Sequence, residues 1–252
     1  FNNNDRPGIM LSSAIKKYSE FYGVACGSKN VFFTNNDSAY ESALSLNDKG
    51  IKVEAVVDIR KQSETNLEKR VIDAGIKIYW EHTVVDTSGY KKVNNVSIMK
   101  LSNDGTSVTG NKISISCDCL GVAGGWTPAV HLYTQSGNKL AFDEDKKIFI
   151  PNKNNSDQIS VGSCCGDFKL DEILKNLNEK LKDFLDITKT DFENITVNND
   201  QEISKRNIWL LPSDKALGKT KSFVDYQNDA TAKDIKLALR EGFRSIEHVK
   251  RY

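Results

Sequence analysis

In the stretch V31FFTNNDSAYESALSLNDKGIKVEAVVD58, a compact apolar run leads into Thr34, Asn35, Asn36, Asp37, Ser38 and Ala39, and an acid, Asp58, closes a second apolar run. This spacing fits a strand-to-helix turn whose backbone N–H groups meet a dinucleotide's pyrophosphate, with an acid about twenty residues on to hold a ribose hydroxyl. Glycines usually occupy three positions of such a turn, and here they are Thr34, Asn36 and Ala39. Ala39 suits the position where helix and strand pack closely, and Asn36 tolerates a left-handed turn. Thr34 adds a β-branched side chain where the backbone should be bare. Two readings stand: a working nucleotide site, or a unit that keeps the shape of the turn and has largely lost its use. Asp37 favours the second, because its charge lies beside the N–H groups of Asp37, Ser38 and Ala39 that a helix start leaves free for phosphate. On that reading Asp58 is a leftover acid at a strand end.

Other reactive side chains offer less. Cys117-Asp-Cys119 and Cys164-Cys165 match neither the common zinc spacings nor the redox pair C-x-x-C, and with Cys26 they make an odd number, which argues for reduced packing thiols. His82, His131 and His248 are far apart and lack a neighbouring nucleophile motif, so structural roles are expected. KRNIWLLPSDKALGKTKSF mixes basic and aromatic residues, but the whole chain carries a formal charge of only +1 and the basic residues share no single helix. A solvated basic loop is expected there, and no nucleic-acid partner. Trp126, after Gly124-Gly125, suits either a cleft at a strand end or the core.

The elements that must position these residues follow from periodicity. LSSAIKKYSEFYG has apolar residues at helical spacing and a closing Gly. KNVFF, SAYESALSLNDKG and KVEAVVD read as strand, helix and strand, a βαβ unit with parallel strands, and TNLEKRVIDAG with IKIYW extends that sheet. From Thr83 to Ala123 the pattern changes to TVVDT, VNNVSIMKLS and KISISCDCLGVA, separated by turn-rich SGYKK and NDGTSVTGN, which predicts a β-meander interrupting the parallel sheet. KLAFDEDKKIFIP reads as two short strands, QISVGS as a buried strand and KLDEILKNLNEKLKDFL as a helix. Ile187–Arg206 has the composition of a linker. NIWLLP then reads as a short strand, and TAKDIKLALREG and SIEHVKRY as two helices opened by Thr and Ser caps.

With 252 residues the chain can bury one large core or two modest ones. It holds no apolar run long enough to cross a bilayer and no secretion-signal pattern at FNNNDRPG, so a soluble, cytoplasmic protein is expected, with no membrane partner. The start at Phe1 and the stop directly after a helical pattern read as a piece of something longer.

FNNNDRPGIML, TNNDSAYESAL, GGWTPAVHLYTQSGNKLAFDE and, above all, KSFVDYQNDATAKDIKLALREGFRSIEHVKRY together resemble the alpha subunit of heterotetrameric sarcosine oxidases, along the whole of Phe1 to Tyr252. The resemblance implies oxidative demethylation of sarcosine to glycine with release of hydrogen peroxide, the one-carbon unit passing to tetrahydrofolate. It further implies NAD bound by alpha, FMN at the alpha–beta interface, FAD in beta, and beta, gamma and delta subunits as partners.

The implied fold class is α/β: a Rossmann-like module of two dinucleotide-binding domains, like that of the pyridine nucleotide-disulfide reductases, with a β-meander and then a small, mainly helical domain. Its implied boundaries are 1–26 for the end of the first dinucleotide-binding domain, 27–125 for the inserted domain, 126–186 for the return to the first, 187–206 for the linker and 207–252 for the helical domain. In related flavoproteins the returning strand ends in Gly-Asp near the cofactor; here Gly162 matches and Ser163 replaces the acid. The candidate cofactor-contacting residues are therefore Thr34, Asn35, Asn36, Asp37, Ser38, Asp58, Gly124, Gly125, Gly162 and Ser163, with no catalytic residue or metal ligand among them. Relatives carry an iron–sulfur cluster on cysteines of the helical domain, but FVDYQNDAT has none, so no cluster is expected. Two alternatives remain: a subunit of another amine- or opine-oxidising flavoprotein, and a ligand-free scaffold that docks other subunits.

Overall fold

The structure, a computed structural model, describes residues 1–152, 158–186, 197 and 207–252. The chain forms two compact units, Phe1–Gly124 with Ile208–Tyr252, and Gly125–Asn207.

The first unit is built on a parallel sheet of five strands: β1 (Ile9–Leu11), β2 (Asn30–Thr34), β3 (Val53–Asp58), β4 (Lys77–Trp80) and β8 (Cys119–Ala123), in the order β1-β8-β2-β3-β4. Every residue of β2 is buried, because strand alternation sends its side chains into two different cores. Phe32 packs with Ile15, Tyr40, Ala43, Leu46, Val56, Leu67, Val71 and Ile78. These residues bring in the helices α1 (Ser12–Tyr22), α2 (Ser38–Asp48) and α3 (Asn66–Asp73). Val31 and Phe33 point the other way, into a core with Val57, Leu120, Val84, Val96, Ile98 and Leu101. The last four come from an antiparallel sheet of β5 (His82–Ser88), β6 (Asn95–Leu101) and β7 (Val108–Ser116).

The expected βαβ unit and β-meander are thus both present. The run KISISCDCLGVA, expected as one strand, breaks at Cys117-Asp118. Before the break it pairs with β6, and after it the chain joins the parallel sheet between β1 and β2. Asp118 holds this corner, accepting from Ser28 Oγ and Lys29 N at 2.8 Å each. Gly121 is required beside it, since an added Cβ would lie 2.6 Å from the Phe32 ring.

The carboxyl-terminal stretch contributes a two-strand ladder, β11 (Phe223–Asp225) with β12 (Ala230–Thr231), and the helices α6 (Ala232–Arg240) and α7 (Ile246–Arg251). Thr231 opens α6 as expected, and Asp234 caps it reciprocally. NIWLLP is not the short strand expected. Ile208 and Leu211 anchor it on the second core while Trp209 stays 78% exposed, and its backbone joins no sheet among the described residues. The amino-terminal asparagines bind this stretch to the rest of the unit. Asn2 Nδ2 donates to Ser213 Oγ at 2.8 Å, Ser222 Oγ donates to Asn2 Oδ1 at 2.9 Å, and Phe223 N donates to Asn4 Oδ1 at 2.8 Å.

The second unit holds α4 (His131–Gln135), the antiparallel pair β9 (Leu140–Asp143) and β10 (Ile148–Pro151), a 3-10 helix at Gly162–Cys165 and α5 (Leu170–Leu185). QISVGS is not a strand. Only Gln158 makes an isolated bridge, and the chain turns into the 3-10 helix at Gly162. The expected linker lies outside the described residues except for Val197.

Candidate functional site

The residues singled out between β2 and α2 converge where the ends of β2, β3 and β8 meet the start of α2, the place where open α/β sheets take their ligands. Thr34 is buried, and its Oγ1 closes the turn on itself, accepting from Asn36 N at 3.0 Å and donating to the Asn36 carbonyl at 2.6 Å. Asn35 and Asn36 tie the turn to the end of β8: Asn35 Nδ2 donates to the Gly124 carbonyl at 3.1 Å and Asn36 Nδ2 to the Ala123 carbonyl at 3.2 Å.

Ser38 N–H is not left free for phosphate, as the sequence suggests. Asn36 Oδ1 accepts it at 3.1 Å and also accepts from Ser38 Oγ at 2.6 Å. The turn thus satisfies one of its own helix-start donors with a side chain.

Asp37 and Asp58, 2% and 0% exposed, are brought together by Arg60, a residue that the nucleotide motif does not assign. The Arg60 guanidinium lies between them, with Nη2 2.7 Å from Asp37 Oδ1 and 2.7 Å from Asp58 Oδ2. Arg60 Nε is 3.1 Å from each Asp58 oxygen, and Arg60 N donates to Asp58 Oδ1 at 2.8 Å. Tyr40, fully buried on α2, donates its hydroxyl to Asp58 Oδ2 at 2.7 Å, and the guanidinium sits 5.7 Å from the centre of its ring.

Electrostatics follow from this packing. Burial pushes the Tyr40 hydroxyl far above its ordinary pKa, and the Asp58 charge and hydrogen bond push it further. Burial works against the Arg60 charge, but the hydrogen bonds and charges of Asp58 and Asp37 more than offset it and hold its pKa above the ordinary value. The repulsion expected from Asp37 is therefore corrected: its carboxylate faces a guanidinium. Asp58 is corrected as well, from a leftover acid to the centre of a buried ionic cluster.

These residues do not fit a dinucleotide in this crevice. The ribose-holding carboxylate is occupied by Tyr40 and Arg60, the turn's hydroxyl and amides bond one another, and two buried carboxylates stand where a pyrophosphate would need positive potential. One signal for Arg60 was legible: two acids at the ends of adjacent elements require a cation, and an arginine stands two residues after the second.

Of the remaining candidates, Gly124 belongs to this unit, and Gly125, Gly162 and Ser163 belong to the other. Gly162 is buried at φ 77°, with Ile173 at an ordinary 3.5 Å from where its Cβ would stand, so conformation rather than space calls for glycine there. Ser163 is exposed. Gly166, at φ 77°, ends the 3-10 helix, and Lys180 Nζ donates to the Ser160 carbonyl at 2.8 Å and lies 3.8 Å from Cys165 Sγ.

Trp126 is half-exposed, and His82 Nδ1 lies 2.6 Å from the Trp80 carbonyl. All five cysteines are free thiols, and among the described residues no three His, Cys, Asp or Glu side chains gather as a metal-holding group. Among the described residues no helix is long and apolar enough to cross a membrane.

Comparison with known proteins shows what the chain is similar to. Residues 219–252 match the family described as the sarcosine oxidase A3 domain. The whole chain is 34% identical to the sarcosine oxidase subunit alpha of Corynebacterium sp. (strain P-1), covering 26% of that protein, and 30% identical to the one of Rhizobium meliloti (strain 1021), covering 24%. It thus spans about a quarter of the length of these curated relatives. Among solved structures, an L-proline dehydrogenase from P. horikoshii matches the whole chain and 45% of its own at a TM-score of 0.57 and 18% identity, a likeness of fold. The expected α/β architecture, a parallel sheet with helices and a β-meander, is the one observed.

Proposed function

From the premise that this chain resembles sarcosine oxidase alpha subunits along its whole length, we propose that it is part of the alpha subunit of such an oxidoreductase. The reaction proposed is oxidative demethylation of sarcosine to glycine, with hydrogen peroxide released and the one-carbon unit captured as methylenetetrahydrofolate. Beta, gamma and delta subunits complete the enzyme, with FAD in beta, FMN at the alpha–beta interface and NAD in alpha.

Within that enzyme the role proposed for the described residues is to fold and support, not to react. The observation that carries this is the occupied crevice: the Asp37–Arg60–Asp58 cluster with Tyr40 fills the ligand position of the parallel sheet with the chain's own side chains. NAD, when bound, would supply a nicotinamide that this chain does not position from that crevice. Its proposed place is the first dinucleotide-binding domain, to which Gly162 and Ser163 belong on this reading. The carboxyl-terminal ladder, with Phe223, Val224, Asp225 and Tyr226 where cluster-bearing relatives place thiolates, is proposed to serve packing or subunit contact.

The test is the purified enzyme that contains this chain. Sarcosine-dependent peroxide release with glycine as product is expected, and the chain alone is expected to release none. Peroxide formed from another secondary amine but not from sarcosine would replace this reading with the wider amine-oxidising one. Stoichiometric iron and sulfide after anaerobic purification would overturn the structural role of the carboxyl-terminal part.

A further inference from the structure

The loop between α1 and β2 is fastened to the corner where β8 begins. Besides the bonds from Ser28 and Lys29 to Asp118, both Asp118 N and Cys119 N donate to the Lys29 carbonyl, at 3.0 and 3.3 Å. The loop backbone passes so close that a Cβ on Gly27 would lie 2.5 Å from Cys119 Cβ. Only glycine permits that approach. The residue before it is Cys26, partly exposed and packed against the apolar cluster that contains Cys119. Cys117, two residues before Cys119, packs in the other core.

We propose that Cys26 and Cys119 are an oxidisable thiol pair, Cys26 the accessible partner and Cys119 the buried one, that closes to a disulfide in the presence of hydrogen peroxide. The Cys119 thiol responds to its neighbour. Burial pushes Cys119 up to about 12, and the neighbouring Cys26 thiol adds to the shift. Burial raises Cys26 as well, so the resting pair is protonated and inert until a thiolate forms.

The step balances without any group beyond the oxidant. The Cys26 thiolate attacks one oxygen of peroxide; the S–O bond forms as the O–O bond breaks, and the departing hydroxide takes up the thiol proton as water. Cys119 sulfur then attacks the sulfenic acid of Cys26; the S–S bond forms, the S–O bond breaks, and hydroxide leaves with the Cys119 proton as a second water. Two thiols and one peroxide give one disulfide and two waters. The hydrogen-bonded loop keeps Cys26 beside the strand that carries Cys119, and a tethered second thiol favours ring closure over further oxidation of Cys26. The source of peroxide rests on the function proposed above, whereas the pairing of the two sulfurs does not.

The experiment uses the assembled enzyme, treated either with added hydrogen peroxide or with sarcosine in air, then alkylated, digested and mapped by mass. Added peroxide is expected to produce a linked peptide pair containing Cys26 and Cys119. Its yield should fall at least tenfold in Cys26→Ser and stay unchanged in Cys164→Ser. Cys26 found as sulfinic acid beside an alkylated Cys119, or Cys26 still a free thiol, overturns the pairing. Linkage with added peroxide and none with sarcosine supports the pair and overturns the enzyme's own turnover as its oxidant.

Discussion

The crevice at the start of α2 and the turn at Gly162–Gly166 were both expected as cofactor contacts from the sequence, and they are built in opposite ways. In the crevice a threonine, two asparagines and two aspartates replace bare backbone, and an arginine completes the charge balance. In the turn, two glycines at φ 77° keep the backbone bare, with the Lys180 ammonium beside the turn. A turn of this kind gives up bare backbone when side chains enter it. Each buried polar group must find a partner, and the partners it finds are the same donors and acceptors that a ligand would use. A crevice of this kind turns from a binding site into a structural joint between two strands and a helix.

If that is right, the largest effect comes from removing the cation. Arg60→Ala leaves Asp37 and Asp58 buried with their charges uncompensated, and the expected cost is about 3–5 kcal/mol in a denaturant titration. Replacing the three together, with Asp37→Asn, Asp58→Asn and Arg60→Met, should recover most of that loss, because the penalty lies in the orphaned charges and not in the absence of the pair. A loss in Arg60→Ala below about 0.5 kcal/mol would mean that the cluster is solvated like a surface pair and the contrast between the two regions is overstated.

Tyr40 comes next. Tyr40→Phe removes a hydrogen bond to a buried carboxylate, with an expected cost of about 1.5–3 kcal/mol. It also carries a pH signature. The folded state holds the Tyr40 proton above the ordinary tyrosine value of about 10, so the unfolded chain loses that proton first. Its contribution is whole below that pH and drains away as pH rises beyond it. Stability measured from pH 9 upward should therefore fall more steeply in the parent than in Tyr40→Phe, and parallel curves would mean that the Tyr40 hydroxyl is neither buried nor held by Asp58.

How much of this was legible beforehand differs between the layers of the first unit. Strands such as Val31–Phe33 and Val53–Asp58, and helices ending in Gly23 or opening at Thr231, follow local periodicity and capping, which a single sequence carries. The break at Cys117-Asp118 does not, since it depends on Asp118 meeting Ser28 and Lys29 from some ninety residues away. NIWLLP has the composition of a strand, yet Ile208 and Leu211 dock on a core while its backbone pairs with no strand among the described residues. At the crevice, Thr34, Asn36, Asp37 and Asp58 were legible because a motif assigns them positions. Arg60 and Tyr40 have no place in the motif and are drawn in by the charge and hydrogen bond of residues that do.

Helix packing gives the next smaller effect and tests whether the joint is as tight as it looks. Ala39 is fully buried in the cluster that contains Phe32, so α2 lies close on the sheet at this point. Ala39→Leu should cost about 1–3 kcal/mol through overpacking. A neutral substitution would mean that the start of α2 can lift away, and with it the constraint that holds Asp37 against Arg60.

The smallest effect is the one that separates joint from site most directly. Asp58→Asn keeps oxygen for the Tyr40 hydroxyl and for Arg60, and removes the charge that a ribose-holding acid contributes. Asn is the better probe than Ala, because Ala would leave the guanidinium and the tyrosine hydroxyl with lost partners and mix a folding defect into the binding measurement. On the reading that NAD lies in the first dinucleotide-binding domain, calorimetric titration of the complete subunit should give a Kd for NAD within about twofold of the parent, about 0.4 kcal/mol. The physical ground is that Asp58 is fully buried and already takes the Tyr40 hydroxyl and three Arg60 N–H groups, at 2.7 to 3.1 Å. A ribose hydroxyl would have to displace one of these and enter a pocket closed by Thr34 and Asn36. A loss of tenfold or more, about 1.4 kcal/mol, would show that the nucleotide does reach this carboxylate. Arg60 would then have to swing away on binding, and the crevice would be a site that its own arginine keeps closed until the ligand arrives.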